Sequence, residues 1–191
     1  MKKIMEVGQK MDKKALGIFG LFILLTVTFI QARPTVPTTN SPIQYNAIVC
    51  KKLLSPSGEL IQDLGCDKNV ITNDGLDHIK YLLGQGVSSG AVDYIALGNG
   101  TAPTQSSTDL NSEITNCGLS RAQGTFVNNG VGNWSIFKTF TSTCNNVPVN
   151  TTALFNATTG GIIFAGDNFT TVNMQNGYQL QIYWTIWTQE G

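Results

Sequence analysis

The stretch RPTVPTTNSPIQYNAIVCKK, Arg33 to Lys52, joins two kinds of chain. Pro34, Pro37 and Pro42 discourage helix and keep its first half extended, as a leash. Its second half alternates: Ile43, Tyr45, Ala47 and Val49 share one apolar face, while Gln44 and Asn46 point the other way. That is the pattern of a β-strand with one buried side. A strand on a leash can complete its own sheet or add to the open edge of another copy, where backbone hydrogen bonds hold it and alternate side chains fill a groove. Residues 43–49 are therefore the expected donor strand.

Upstream, KKIMEVGQKMDKK precedes the apolar run ALGIFGLFILLTVTFI, Ala15 to Ile30, and then QARP. A basic segment, an apolar core and a small-residue site at Ala32 make residues 1–32 a secretory signal cut after Ala32. Two other readings stand beside it: a pilin-type cut in KKALG after Ala15, with Lys14 and Ala15 just before it, and an uncut hydrophobic anchor, for which the run is a little short. After the apolar run seven basic residues face ten acidic ones without clustering, so no phosphate-binding surface for nucleic acid is expected. Membrane contact is expected only during export or through an uncut N-terminal helix.

Downstream, residues 53–191 read as one domain, of a size that can bury a single core. From Tyr178 to Trp187, YQLQIYWTIW, the positions Leu180, Ile182, Trp184 and Ile186 alternate with Gln179, Gln181 and Thr185. Ala91 to Leu97 is a second strand. Gly118 to Val127 and Trp134 to Thr143 form an expected antiparallel pair around NNGVGN, and Ala153 to Asn156 and Gly161 to Ala165 flank TTGG. NDGLDHIKYLLGQG reads as a helix capped at Asn73 or Asp74, with Leu76, Ile79 and Leu83 on its buried stripe. TDLNSEI, Thr108 to Ile114, is a candidate second helical turn. The expected class is mainly β: an antiparallel sandwich, jelly-roll or Ig-like, with one short helix plugging an end.

Cys50, Cys66, Cys117 and Cys144 are even in number and lack zinc spacing, which in an exported chain points to two disulfides rather than free thiols. Three connectivities are open, and proximity favours Cys50 with Cys66 and Cys117 with Cys144. Five Asn-x-Ser/Thr triplets, at Asn99, Asn133, Asn150, Asn156 and Asn168, are candidate sites for N-linked glycans.

Catalytic chemistry is absent from the motifs. His78, the single histidine, lies beside Leu76 and Ile79 on the helix, and no serine sits in GxSxG. Asp74 and Asp77 suit the helix N-terminus. Asp109 and Glu113, at i and i+4, are a solvated face or a calcium pair, without an EF-hand loop. No catalytic residue, metal site or cofactor is expected.

The order VITNDGLDHIKYLLG, DYIALGNGTAPTQSSTDLNSEI, GLSRAQGTF, NWSIFKTFT, ALFNATTGG and MQNGYQLQIYWTI resembles a β-rich module of secreted archaeal proteins and of some phage tail-associated structural proteins. With the exported N-terminus and IQYNAIVC, the whole looks like a subunit of an archaeal extracellular filament: a thread, bundling pilus or cannula. The resemblance implies a β-sandwich with an open groove that the N-terminal strand of the next subunit fills; with the export signal and the five sequons, the expectation is a glycosylated homopolymer at the cell surface. Two other readings compete. One is a secreted or virion-associated sugar-binding or attachment module, with Trp134, Tyr183 and Trp187 as stacking platforms; the other is a type IV pilin-like subunit assembled through its N-terminal helix.

Overall fold

The computed structural model describes residues 43–86 and 90–190. The expected signal segment, the alternative pilin-type site and the expected leash of residues 33–42 lie outside the described residues. Eleven elements follow in order: β1 (Ile43–Leu54), β2 (Leu60–Lys68), β3 (Val70–Ile71), α1 (Asn73–Gly84), β4 (Tyr94–Gly98), β5 (Ala122–Gln123), β6 (Thr125–Gly130), β7 (Asn133–Thr141), β8 (Val147–Phe155), β9 (Ile163–Met174) and β10 (Gln179–Glu190). They build two five-stranded sheets, ordered β2-β1-β10-β7-β6 and β3-β9-β8-β4-β5. Every pairing between these strands is antiparallel.

Alternation makes the first sheet one-sided. Along β10, Leu180, Ile182, Trp184 and Ile186 are buried, joined by Val49 and Leu53 from β1 and Ile136 and Phe140 from β7. Against them lie Ile95, Leu97, Val149, Ala165, Val172 and Met174 of the second sheet, so one apolar cluster fills the space between the two. Tyr183 points outward and stacks on Phe137 at 5.8 Å between ring centres. The β6–β7 hairpin turns through NNGVGN, where Gly130 and Gly132 take φ of 120° and 64°, values that suit residues without a Cβ.

The second sheet is covered on its other face as well. Ala96, Leu110, Ala153, Phe155 and Ile163 form a smaller cluster there. Arg121 fastens this side: its guanidinium lies 3.4 Å from the Phe155 ring centre, grips Glu113 with two nitrogens, and donates to the carbonyls of Ala157 and Gly160. The expected helical turn at 108–114 is not formed. Leu110 and Ile114 are drawn into the two apolar clusters, and Glu113 makes an antiparallel bridge with Gly98.

The expected helix is present, with two corrections. Its cap is Thr72, whose hydroxyl accepts from the Gly75 amide at 2.9 Å and donates to the carbonyl of Ile163. Its inward face is Gly75, His78 and Ile79, while Leu76 and Leu83 are exposed. Gly75 sets that rotation: the helix backbone lies so close to β9 that a Cβ there would collide with the Phe164 carbonyl.

Candidate functional site

The expected donor strand lies in the chain's own sheet. β1 pairs with β10 along its full length, from Ile43 opposite Glu190 to Leu54 opposite Gln179. β2 covers its other side only from Ile48, opposite Lys68, onward. Residues 43–47 therefore have one strand neighbour among the described residues. Of the four expected donor residues, Val49 and Ala47 are buried in the core, Tyr45 is half-buried, and Ile43 is 72% exposed. The inward alternation is real, but it runs out of core toward the N-terminus.

Two hollows flank this half-strand. A cavity of about 340 Å³ lies at that end of the molecule, lined by Tyr45, Ile79, Leu83, Phe126, Trp134 and Ile186 among others. Leu83 and Phe126 on its rim are 78% and 61% exposed. A smaller hollow, about 110 Å³, lies between Asn46, Lys68, Asn69 and Trp187, on the side of β1 that β2 leaves uncovered. The side-chain amide nitrogens of Asn46 and Asn69 are buried without a hydrogen-bond partner.

Cys50 begins a different regime. It bonds to Cys66 across the β1–β2 ladder, with Cα atoms 4.0 Å apart. Cys117 and Cys144 form the second disulfide, so both pairings favoured by proximity are formed. Next to Cys50, the Lys51 side chain is fully buried; its Nζ lies 2.7 Å from Oδ2 of Asp167 on β9 and 2.8 Å from Oδ2 of Asp67 on β2. Phe169 closes the pocket, its ring centre 5.6 Å from the amine. Burial pushes the Asp167 carboxyl above its usual range, against the opposing pull of the Lys51 hydrogen bond and charge. No expectation from sequence included this cluster. A signal for it exists: Lys51 continues the inward series of Ala47 and Val49, and a lysine on a core face requires a buried partner.

The remaining expected sites are dispersed. Asn99 and Asn168 are exposed, whereas Asn133, Asn150 and Asn156 are half-buried. Asn150 donates to the Gly100 carbonyl and Asn156 accepts from the Ile162 amide. Trp134 pairs with Ile186 and lines the end cavity, while Tyr183 and Trp187 fall on the outward register of β10. The three aromatic residues thus form no single stacking platform. His78 is buried, and its pKa is lowered by that burial, opposed by a hydrogen bond with the Gly90 backbone. Asp109 and Glu113 both face the Arg121 guanidinium, at 3.9 and 2.5 Å. Asp77 pairs with Lys80 on the exposed side of α1. No helix among the described residues is long and apolar enough to cross a membrane.

No protein-family model, curated protein or solved structure significantly matches this chain.

Proposed function

We propose that this chain is a non-enzymatic structural subunit of an extracellular filament of the archaeal thread or pilus kind, polymerising head to tail by donating residues 43–49 to a neighbour. In this reading the sandwich, of jelly-roll or Ig-like type, is exported under residues 1–32, carries glycans on its sequons, and sits at the cell surface. The observation that carries it is the change in surroundings halfway along β1. Before Ile48 the strand has one strand partner among the described residues and hollows on either side; after Cys50 it is enclosed and covalently tied.

In an isolated subunit the half-strand occupies its own slot. In a filament the same slot receives residues 43–49 of the next copy, an exchange of identical elements that keeps the contacts of the slot, adds new ones only at the strand tip and leash, and so has a small net cost. Cys50 stays tied in its own sheet, so an exchanged strand swings out about residues 49–50, and the ten residues from Arg33 to Pro42 add up to about 33 Å of extended chain beyond its free end. Each contact is head-to-tail, and head-to-tail contacts that do not close make filaments.

Deleting Arg33 to Ala47 should abolish filaments in negative-stain images and leave a monomer whose thermal stability a synthetic peptide of that segment restores. Normal filaments from the deleted chain would end the proposal. N-terminal sequencing of native protein should find Arg33; a start at Leu16 or Met1 would favour a helix-assembled pilus or an anchor instead.

A further inference from the structure

We propose that Lys51 and Asp167 condense to an intramolecular amide, an isopeptide bond stapling β1 of one sheet to β9 of the other, with Asp67 as the proton relay. The site goes beyond the filament reading and stands whether or not the chain polymerises.

Three observations carry it. The reacting groups are already in contact, with Nζ 2.7 Å from Oδ2, and both side chains are almost wholly buried, at 0% and 6% exposure. An apolar wall, the Phe169 ring, excludes water beside them. A second carboxylate lies 2.8 Å from the same nitrogen and is itself more than half exposed, so it can exchange protons with solvent. The buried ion pair of Lys51 with Asp167 is complete without Asp67, which reaches the same nitrogen from the solvent edge of the pocket.

The chemistry balances without any co-reactant. Where water is excluded, separated charges are disfavoured, and the pair can pass a proton from nitrogen to oxygen, leaving a neutral amine facing a neutral acid. Burial of Asp167 favours that protonated form. The nitrogen lone pair attacks Cγ of Asp167, Asp67 takes the proton released from nitrogen, and the same proton is returned to the departing hydroxyl. One C–N bond forms, one C–O bond breaks, and one water leaves. Fixed contact lowers the barrier that free amines and acids face in water, since effective molarities of well-oriented groups reach about 10⁵–10⁸ M. The two residues lie 116 positions apart, so the bond would close most of the domain into a ring.

The staple also deepens the division within β1. It falls one residue after the disulfide at Cys50, so residues 50–54 are fixed from both sheets while residues 43–49 stay exchangeable.

The test is the intact mass of the full chain, produced in an oxidising compartment without glycosylation, then reduced and denatured. A mass lower by one water, with a proteolytic fragment linking the Lys51 and Asp167 peptides, is expected. The full unmodified mass overturns the proposal. Lys51→Arg keeps the ion pair but cannot form this bond, and should show the unmodified mass; water loss persisting in it would overturn the assignment to this pair. Asp67→Asn should leave most of the chain uncondensed, and condensation as complete as in the parent would remove Asp67 from the mechanism. Covalent multimers on a denaturing gel, abolished by Lys51→Arg, would place the bond between subunits and overturn its intramolecular form.

Discussion

The two halves of β1 share a strand, a register and an alternation, yet they are held by different physics. Residues 50–54 have strand neighbours on both sides, a disulfide, and a buried lysine between two carboxylates. Among the described residues, 43–47 have one strand neighbour, an exposed isoleucine at the tip, and hollows beside them. Secondary structure does not report how firmly a segment is held. What reports it is whether removing the segment would strand buried charge and core volume, or only shorten a ladder.

The largest effect should come from the fixed half. Lys51→Ala leaves Asp167 buried beside no cation, and losing one partner of a buried pair costs about 3–5 kcal/mol. Denaturant unfolding of the variant measures it. A loss under about 1 kcal/mol would mean that the pocket is wet and that the two halves are alike. Leu53→Ala, removing a buried side chain from the same half, should cost about 2–5 kcal/mol by the same assay. Replacing Cys50 and Cys66 together by serine opens a loop of 16 positions, worth about 3 kcal/mol in the chain-entropy account.

Part of the fold around this contrast is legible in the sequence alone, and the illegible part has physical causes. β10 can be read because it is central and one-sided, so burial follows every second residue. β2 cannot, because as an edge strand it exposes nearly every position of LIQDLGCDK and leaves no alternation to see. β8 and β9 are longer than expected because bulges after Val149 and Leu154 shift the alternation that sequence reading relies on. The helix is visible but its rotation is not: the leucine stripe argues for burial, and the backbone contact permitted by Gly75 decides otherwise. Lys51 is hidden by its neighbour, since two adjacent lysines look like a solvated pair. The fold separates them, burying Lys51 and exposing Lys52.

A smaller effect concerns the helix beside the open end. His78 has its pKa lowered by burial, so the unfolded chain binds its proton more readily than the folded one. The stability this confers is complete above the unfolded value near 6.5 and is lost as pH falls through the folded one. Unfolding midpoints should therefore fall below about pH 6.5, and His78→Gln should flatten that part of the profile. Asp167, with its pKa raised, works in the opposite sense in a chain whose carboxyl is uncondensed: its contribution is present below 3.8 and is lost as pH rises. An unchanged slope in His78→Gln would show that another group sets the acid limit.

The smallest effect on the isolated subunit should be the most informative for the free half. Ile43 is 72% exposed and pairs only with β10, so Ile43→Ala removes little buried surface and should shift monomer stability by no more than about 0.5 kcal/mol. An exposed isoleucine at a strand tip has no folding role that alanine could not fill. In an exchanged strand, however, the same side chain meets the receiving subunit, and its loss should slow assembly and raise the concentration at which filaments form. Monomer melting and a light-scattering assay on one preparation separate the two. Equal assembly with equal stability would leave Ile43 without a part in donation and move the exchange boundary inward to Tyr45. A stability loss as large as that of Leu53→Ala would mean that this half of β1 is as fixed as the other, and strand donation would lose the contrast on which it rests.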